Sequence, residues 1–507
     1  MTANPTPAAP LWSNRMSGRN LARVAAVGVA ALVFAVLVLL VRARWLPLES
    51  VDRGLAAGLN EAVAGQRPMV TALEFVTGLG SHAVLMWLVA IATVLLVVRR
   101  RFRLAAYLVV TGAGALVLDP ALKHAVGRLR PVVEHPVAAG GGNSFPSGHA
   151  LVSIIVYGAL LLVFAPALSR RARRPVAVGV AVLVAAIGFT RLALGVHFLS
   201  DVVGAWCLGV AWLGVTTYAF ELHRRQTGRQ VTRPLAEGLE PEAAADLKPA
   251  APAVEAEAVR TPLAIAGGAV AWILVFGALY AIGVPLARYH GGNGDVLGDH
   301  TVPRWLAAHR TPELNHVSDL GGQAGNTHLI LAVGLVAGAV ALAAIRRWRP
   351  VIFLLATMFG ELSLFLASAA SVGRARPDVP HLDGPLPTSS FPSGHVAATI
   401  LLYAAIAVLA MSRIRHWWRW LFVAAAVLMP LWVAGSRMYR GMHHPTDVLG
   451  SMILAAGWLA AMVYLVRPNC DIDDARKIAT TSRNKIVTTP RKSLPQTLPE
   501  TTTSGKL

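Results

Sequence analysis

Long apolar runs recur along this chain, and they constrain its fold more than any other feature of the sequence. The chain has 507 residues, of which 55% are apolar and only 14% are charged, whereas soluble proteins carry about 25% charged residues. A run of about 20 apolar residues is long enough to cross the hydrocarbon core of a bilayer as a helix. We therefore predict an all-α polytopic membrane protein.

About twelve such runs occur, in two sets of six that are separated by a polar stretch. The polar stretch, 222–260, begins basic and continues in Ala, Pro and Glu without apolar periodicity, which indicates a linker. A half-polar stretch at 45–80 predicts an interfacial helix and loop. No small-residue cleavage site follows the first run, so we interpret it as an uncleaved span. The predicted spans are 21–41, 82–98, 104–122, 149–168, 175–191, 201–220, 262–286, 327–345, 350–372, 395–411, 417–436 and 447–466.

The pattern predicts two tandem six-helix membrane domains with polar ends. The C-terminal end is rich in Thr, Ser, Lys and Pro, which is typical of disordered segments. We further hypothesise that the two halves form an internal pseudo-dimer. The predicted parts are a cytoplasmic tail at 1–20, the first domain at 21–221, a cytoplasmic linker at 222–260, the second domain at 261–467 and a disordered cytoplasmic tail at 468–507.

The net charge of +20 has two possible readings. In a soluble protein it would suggest nucleic-acid binding, but here the arginines lie in short clusters beside the apolar runs, which is the cytoplasmic-side signature of membrane proteins. We therefore expect no nucleic-acid partner. Because Ala, Arg, Val and Gly dominate the composition, we expect a bacterial plasma membrane. With all clusters inside, both termini and the linker are cytoplasmic and the two halves share one orientation; the clusters lie at 99–103, 170–174, 346–349 and 413–419.

A polar hexapeptide, Ser-Phe-Pro-Ser-Gly-His, occurs twice, ending at His149 and at His395. The copies are 246 residues apart (395 − 149), and each precedes an apolar run at its outward-facing end. In the first copy, Ser147 is placed to cap the following helix and Gly148 allows a close approach of the backbone. Free N–H groups and the helix dipole attract an anion at such a position. Its occurrence in both halves indicates one kind of site built twice.

Three cations of the first half also lie at outward-facing span ends: Lys123, Arg130 and Arg191. Positive charge is disfavoured on this side of the membrane, so the topology does not explain them. Converging Lys and Arg side chains are well suited to hold a phosphate group.

His197 and Asp201 follow the third cation, four residues apart, so they can meet if the helix or its lead-in turn continues. Ser200 is a candidate cap of that helix. With two histidines on one phosphate, one can attack phosphorus and the other can protonate the leaving oxygen. No carboxylate cluster suited to a metal stands in the sequence, so we expect neither metal nor cofactor.

Together these motifs resemble those of the type 2 phosphatidic acid phosphatase family, the lipid phosphate phosphatases related to vanadium haloperoxidases. The motifs are Lys-x6-Arg-Pro, Pro-Ser-Gly-His and (Ser/Thr)-Arg-x5-His-x3-Asp; Thr190 stands where Ser is usual. The resemblance covers both six-span halves and implies a phosphohistidine on His197, oriented by Asp201, with His149 as the acid. It implies phosphate binding by Lys123, Arg130, Ser147, Gly148 and Arg191.

The second half repeats the motifs in the same register, with one difference. Position 369, which corresponds to Lys123, is Ala. Arg440, which corresponds to Leu194, is a candidate replacement for this lysine. The second-half counterparts are His443, Asp447 and His395 as catalytic residues, and Arg376, Ser393, Gly394 and Arg437 as phosphate-binding residues.

The resemblance implies a metal-independent membrane phosphatase that removes phosphate from a lipid phosphomonoester or diphosphate at the outer face. Candidate substrates are phosphatidic acid, phosphatidylglycerol phosphate and polyprenyl diphosphate. Because only the first half has the lysine, we expect it to be the more active. Two alternatives stay open. One is a lipid phosphotransferase that uses the same phosphohistidine; the other is a non-catalytic lipid transporter or binding protein, since twelve spans in two halves also suit transporters.

Overall fold

The computed structural model describes residues 18–134, 136–138, 141–230, 232–248, 261–288, 295–384 and 387–470. Every regular element in these ranges is helical, and twelve helices are long and apolar enough to cross a membrane. The predicted all-α fold with about 12 spans is therefore confirmed, and the chain is a multi-pass membrane protein. Most of the two predicted tails lies outside the described residues.

The chain divides into two compact units, of which the first comprises residues 1–250 and 335–347. The stretch predicted as an interfacial helix and loop contains two helices, the second and third. The helices of the first unit are α1 Gly18–Arg42, α2 Leu46–Ala64, α3 Arg67–Gly78, α4 His82–Val98, α5 Phe102–Val126, α6 Gly148–Phe164, α7 Arg170–Ala193, α8 Leu199–Gln226, α9 Pro234–Glu237 and α10 Ala244–Leu247.

Helix α6 is the central helix of the first unit. It packs against α4, α5, α7 and α8, and Leu151, Val152 and Ile155 on it are fully buried. A helix that is apolar on all sides is stable only when neighbours surround it. Because α6 begins at Gly148, the first hexapeptide lies where the central helix emerges from the bundle.

The start of the predicted linker packs on the first unit. Helix α8 continues to Gln226, so the predicted domain boundary at 221 falls inside it. Beyond it, Leu239, Ala243 and Leu247 are buried in one apolar cluster with side chains of α5 and α6. This part of the chain therefore adds to the core of the first unit.

The second unit comprises residues 251–334 and 348–507, so the division falls within the fourth of its helices. Its central helix begins at Gly394 and corresponds to α6 of the first unit. It packs against the three helices Trp348–Val372, Arg419–Tyr439 and Pro445–Val466. The helices are α11 Thr261–Arg288, α12 Thr301–Ala308, α13 Pro312–Ala324, α14 Thr327–Ile345, α15 Trp348–Val372, α16 Gly394–Arg413, α17 Arg419–Tyr439 and α18 Pro445–Val466.

Candidate active sites

Four helix ends meet at one end of the first unit and bring its motifs together. Lys123 lies in the last turn of α5, His149 in the first turn of α6, Arg191 in the last turn of α7 and Asp201 in the first turn of α8. The backbone N–H of Ser147 donates to the carbonyl of Asp201 at 3.1 Å, which joins the starts of α6 and α8. This end of the bundle therefore collects all three motifs of the first half.

A tight turn between α7 and α8 explains the spacing of the third motif. Gly195 adopts φ = +70° there, a left-handed conformation that favours glycine. After this turn, the backbone N–H of His197 donates to the carbonyl of Arg191 at 3.2 Å. Asp201 then accepts the N–H of Phe198 at 2.9 Å and so caps the start of α8.

His197 is held between a carboxylate and a guanidinium. Its Nδ1 lies 3.4 Å from Asp201 Oδ2, and its Nε2 lies 3.2 Å from Nη1 of Arg130. A guanidinium can only donate, so Nε2 faces it with a lone pair and Nδ1 carries the proton. Burial lowers the pKa of His197 and is the largest effect; Asp201 acts in the opposite direction, and the charges of Arg130 and Arg191 lower the pKa further. The ring is therefore a neutral imidazole whose Nε2 lone pair is available.

The three predicted cations lie around His197 and His149. Arg130 is fixed by the carbonyls of Val196 at 2.8 Å and Gly141 at 2.9 Å. The other two cations are held by side chains: Lys123 Nζ donates to Asp119 at 2.9 Å and Arg191 Nη1 to Thr77 Oγ1 at 2.9 Å. His149 lies close enough to Arg191, Lys123 and His197 for their charges to act on it. Of the first half's predicted residues, the structure thus brings Lys123, Arg130, Ser147, Gly148, His149, Arg191, His197 and Asp201 to one end of the unit.

Both predicted capping serines are wrong as caps. Ser147 occupies the cap position of α6, but its side chain makes no capping bond; its buried Oγ has no hydrogen-bond partner among the described residues. Ser200 lies inside α8, and Asp201 fulfils the capping role there. The hydroxyl of Ser200 donates instead to Asp52 at 2.5 Å. The free Ser147 hydroxyl is available to an oxygen of a bound ligand.

Glycine at the helix start leaves room for a neighbouring side chain. A Cβ on Gly148 would lie 2.8 Å from Oδ2 of Asp119. The predicted close approach therefore exists, between the start of α6 and the end of α5.

A buried ion-pair network behind His197 and Asp201 was missed by the sequence analysis. Arg128 donates to Asp201 Oδ1 and to Asp52 Oδ2, at 2.7 Å each. The second unit repeats the arrangement, since Arg374 donates to Asp447 and, at 2.5 Å, to Asp299. The repeat could have indicated the arginines of this network, because Arg374 lies 246 residues beyond Arg128, the same shift as between the motifs. The acids on α2 and before α12 are 247 residues apart (299 − 52), so the fixed shift does not find them.

The second unit arranges its own histidine similarly. His443 Nδ1 lies 2.8 Å from the carbonyl of Ser390 and 3.6 Å from Asp447 Oδ2. The carbonyl can only accept, which places the proton on Nδ1 and leaves a lone pair on Nε2. Arg376 is held by the carbonyl of Met442 at 2.7 Å, as Arg130 is held by Val196. Ser393 begins α16 without a side-chain capping bond.

The surroundings of the second site differ in charge. Ala369 is 4% exposed where the first site has Lys123. Phe365 takes the place of Asp119, and its ring lies 2.9 Å from a Cβ built on Gly394. Arg440, the candidate replacement for the lysine, is paired with a carboxylate: its Nε donates to Asp383 Oδ1 at 2.7 Å, as Lys123 donates to Asp119 in the first site.

The chain belongs to the PAP2 superfamily. The family model with that description matches residues 103–225 and 328–470, which together make up more than half of the chain. One match falls in each half, so the predicted family and its repetition within one chain are confirmed. The two matched regions contain the three motifs of each half.

Two curated relatives resemble part of the chain. It is 34% identical to phosphatidylglycerophosphatase B of Bacillus subtilis (strain 168) over 96 residues, which are 18% of this chain and 46% of that protein. It is 30% identical to lipid A 1-phosphatase of Rhizobium johnstonii over 111 residues, which are 20% of this chain and 41% of that protein. The chain therefore spans less than half of the length of these curated relatives.

The comparison with solved structures gives a match over one part of the chain. It is described as the crystal structure of the first transmembrane PAP2 type phosphatidylglycerolphosphate phosphatase from Bacillus subtilis. The comparison gives a TM-score of 0.33 at 24% identity and covers 39% of this chain and 96% of that structure.

Proposed function

We propose that this protein is an integral-membrane lipid phosphate phosphatase whose first unit carries the main active site. The observation that carries the proposal is the environment of His197. Its Nε2 lone pair faces Arg130, and Asp201 lies behind its Nδ1. A neutral imidazole that is oriented by a carboxylate and faces a fixed cation is suited to attack an anionic phosphate.

The two curated relatives support the reaction class. Phosphatidylglycerophosphatase B and lipid A 1-phosphatase are both named as phosphatases of lipids. The substrate class proposed for this chain is accordingly a phosphomonoester or diphosphate of a lipid. Phosphatidic acid, phosphatidylglycerol phosphate and polyprenyl diphosphate are the candidates to be compared.

In the proposed mechanism, His197 Nε2 attacks phosphorus and the bond from phosphorus to the leaving oxygen breaks. His149 donates a proton to that oxygen, so the lipid alcohol or monophosphate leaves neutral at this position. Arg130, Arg191 and Lys123 stabilise the charge that develops on the equatorial oxygens. Water then attacks the phosphohistidine, His149 takes up a proton from it, and inorganic phosphate leaves.

The proposed membrane orientation follows from the arginine clusters. Placing them in the cytoplasm places the linker and both termini there as well. Both sites then open at the outer face of a bacterial plasma membrane. Accessibility of a single cysteine, placed at exposed Val132, to an impermeant thiol reagent in whole cells tests this orientation; the native cysteines Cys207 and Cys470 must first be replaced.

Phosphate release from a panel of lipid phosphates tests the function. The purified full-length protein is expected to release phosphate from at least one of the three candidate lipids. The double variant His197→Ala/His443→Ala is expected to show only background release, because both proposed nucleophiles are gone. Intact release by the double variant on every lipid of the panel would refute the proposal. Label that appears on an added lipid alcohol instead of in solution would indicate phosphotransfer.

The pH profile should reflect the lowered pKa of His197. The ring is nucleophilic only when neutral, so activity is lost as the pH falls through this pKa, and the acid limb of kcat/KM should have its inflection below about pH 6.5, the ordinary histidine value. Asp201→Asn removes a charge that raises this pKa, so the inflection should move to lower pH and the plateau should fall. The wild type and Asp201→Asn are compared on one substrate, so the substrate's own ionisation near about pH 6 affects both pH profiles equally. An unchanged inflection would contradict the assignment.

A further inference from the structure

A carboxylate lies on the phosphate-binding arginine of the second site. Asp383, in the loop between α15 and α16, accepts a hydrogen bond from Arg437 Nη1 at 2.6 Å. Its other oxygen accepts from Arg440 Nε at 2.7 Å. Arg437 is the counterpart of Arg191, which the proposed function assigns to phosphate binding.

The corresponding arginine of the first site has no such partner, because the acid of that site, Asp119, lies on Lys123 instead, at 2.9 Å. Arg191 donates to the neutral hydroxyl of Thr77, and among the described residues it forms no ion pair with a carboxylate. In the register of the repeat, 246 residues earlier, the counterparts of Asp383 and Arg440 are Val137 and Leu194. Apolar residues therefore stand in the first half where the second half has Asp383 and Arg440, so the ion pair between these two residues is a feature of the second unit alone.

The carboxylate contacts the arginines as a phosphate would. A guanidinium binds a carboxylate and a phosphate through the same planar donors, so one excludes the other from the same donors. The side chains of Arg437 and Arg440 are 5% and 9% exposed, and that of Asp383 is 22% exposed. Bulk water therefore weakens this ion pair only partly, and a substrate phosphate has to displace an internal ligand.

Asp383 is ionised in this environment. Burial alone would raise the pKa of its carboxyl, but the hydrogen bond from Arg440 and the charges of both arginines outweigh it and hold the pKa below its ordinary value. The charge of Asp383 also acts on Arg376, another predicted phosphate ligand of this site. An arriving phosphate therefore meets a negative charge beside two of its ligands.

Arg440 holds the carboxylate in place. Its remaining N–H groups contact α13, at 3.3 Å from Ser318 Oγ and 3.4 Å from the carbonyl of Asn315. A third contact reaches the carbonyl of Leu382, at 3.3 Å, directly beside Asp383. Arg440, directly after α17, thus connects this loop to α13.

We propose that Asp383 is an internal ligand that occupies the phosphate position of the second site and keeps lipid phosphate out of it. The proposal rests on the proposed function, since it uses the phosphate-binding role of Arg437. It gives the second unit a closed anion site in which Asp383 takes the place of the phosphate on Arg437.

Counting anion sites tests the proposal. Orthovanadate, a phosphate analogue, is titrated into the full-length protein in detergent, and free vanadate is followed by ⁵¹V NMR. The wild type is expected to bind one vanadate per chain. Asp383→Asn is expected to bind two, because loss of the negative charge raises the affinity of the second site by at least about tenfold. Asp378→Asn, an exposed aspartate of the same loop, is the matched control and should bind one.

The outcomes separate this proposal from the proposed function. Two sites in the wild type, or one site in Asp383→Asn, would overturn the closed second site. The one vanadate retained at the first site reports that the variant is folded. A second site gained in Asp383→Asn by a protein that releases no phosphate from any lipid would support the closed site and refute the phosphatase.

Introducing the same pair into the first unit gives a second test. Val137→Asp with Leu194→Arg places an acid and its arginine at the corresponding positions beside Arg191. We expect this double variant to lose its first-site vanadate and at least about 90% of the phosphate release, which is a tenfold effect. Val137→Asn with Leu194→Gln, which carries no charge, is the control and should keep both. Full activity of the charged variant would count against the proposed role of the carboxylate.

Discussion

Replacing His197 by alanine is expected to lower phosphate release by at least about 10³-fold, because the change removes the proposed nucleophile. The matched change in the second unit, His443→Ala, is expected to lower it by less than about twofold. The two histidines have similar contacts, but the second site has Ala369 in place of Lys123, and Asp383 lies on Arg437, its proposed phosphate-binding arginine. Rates of phosphate release from one lipid phosphate, measured at equal protein concentration, check both values.

A third histidine variant controls for the loss of a ring at this end of the bundle. His124 is exposed and lies next to the lysine at the end of α5, so His124→Ala should keep the wild-type rate within about twofold. A larger loss in His443→Ala than in His197→Ala would reverse the assignment of the active unit. Equal large losses in both would mean that the two units act in one reaction.

The fold and the motif geometry could be predicted because they depend on local sequence. Span length follows directly from bilayer thickness, so the apolar runs gave the helices. The spacing from Arg191 through His197 to Asp201 is one turn between two helix ends, and a turn of that length leaves little freedom. Repetition of the motifs in register then predicted the second site.

The partners behind the motifs could not be predicted, because they come from distant parts of the chain. Asp52 on α2 contacts Ser200, 148 residues later, and no local pattern links the two. The shift between Asp52 and Asp299 differs by one residue from that of the motifs, which hides the repetition. Asp383 has no acidic counterpart in the first half, so the repeat gave no reason to examine it.

The predicted linker shows why composition alone was insufficient. The segment is predicted as a linker without apolar periodicity, yet its charged residues pair with one another on the first unit. Arg224, at the end of α8, is 2% exposed and donates to Glu242 at 2.7 Å. Buried apolar residues such as Leu239 lie between these charges. A short segment of this kind has too few apolar positions to show a helical period.

Arg128→Ala should produce the largest loss of stability, about 3–5 kcal/mol, because it leaves two buried carboxylates without their shared cation. Arg128 lies 2.7 Å from both Asp52 and Asp201, whose side chains are 1% and 0% exposed. A loss of this size corresponds to a fall on the order of 10 °C in the unfolding temperature of the first unit. Thermal unfolding of the protein in detergent, followed by calorimetry, measures it.

Two further variants separate the structural from the positioning role of Arg128. Arg53→Ala removes an arginine of α2 that is 72% exposed and, among the described residues, pairs only with Glu49 at the surface, so stability should change by less than about 0.5 kcal/mol. Asp52→Asn keeps the bond from Arg128 to Asp201, so it should lower stability but retain most of kcat. Arg128→Ala should lower kcat with little change in KM, because Asp201 loses the group that orients it behind His197. If Arg128→Ala unfolded at the same temperature as Arg53→Ala, the ion pairs of Arg128 with Asp52 and Asp201 would contribute nothing to stability. Asp201 would then be positioned by its hydrogen bond from the N–H of Phe198 alone.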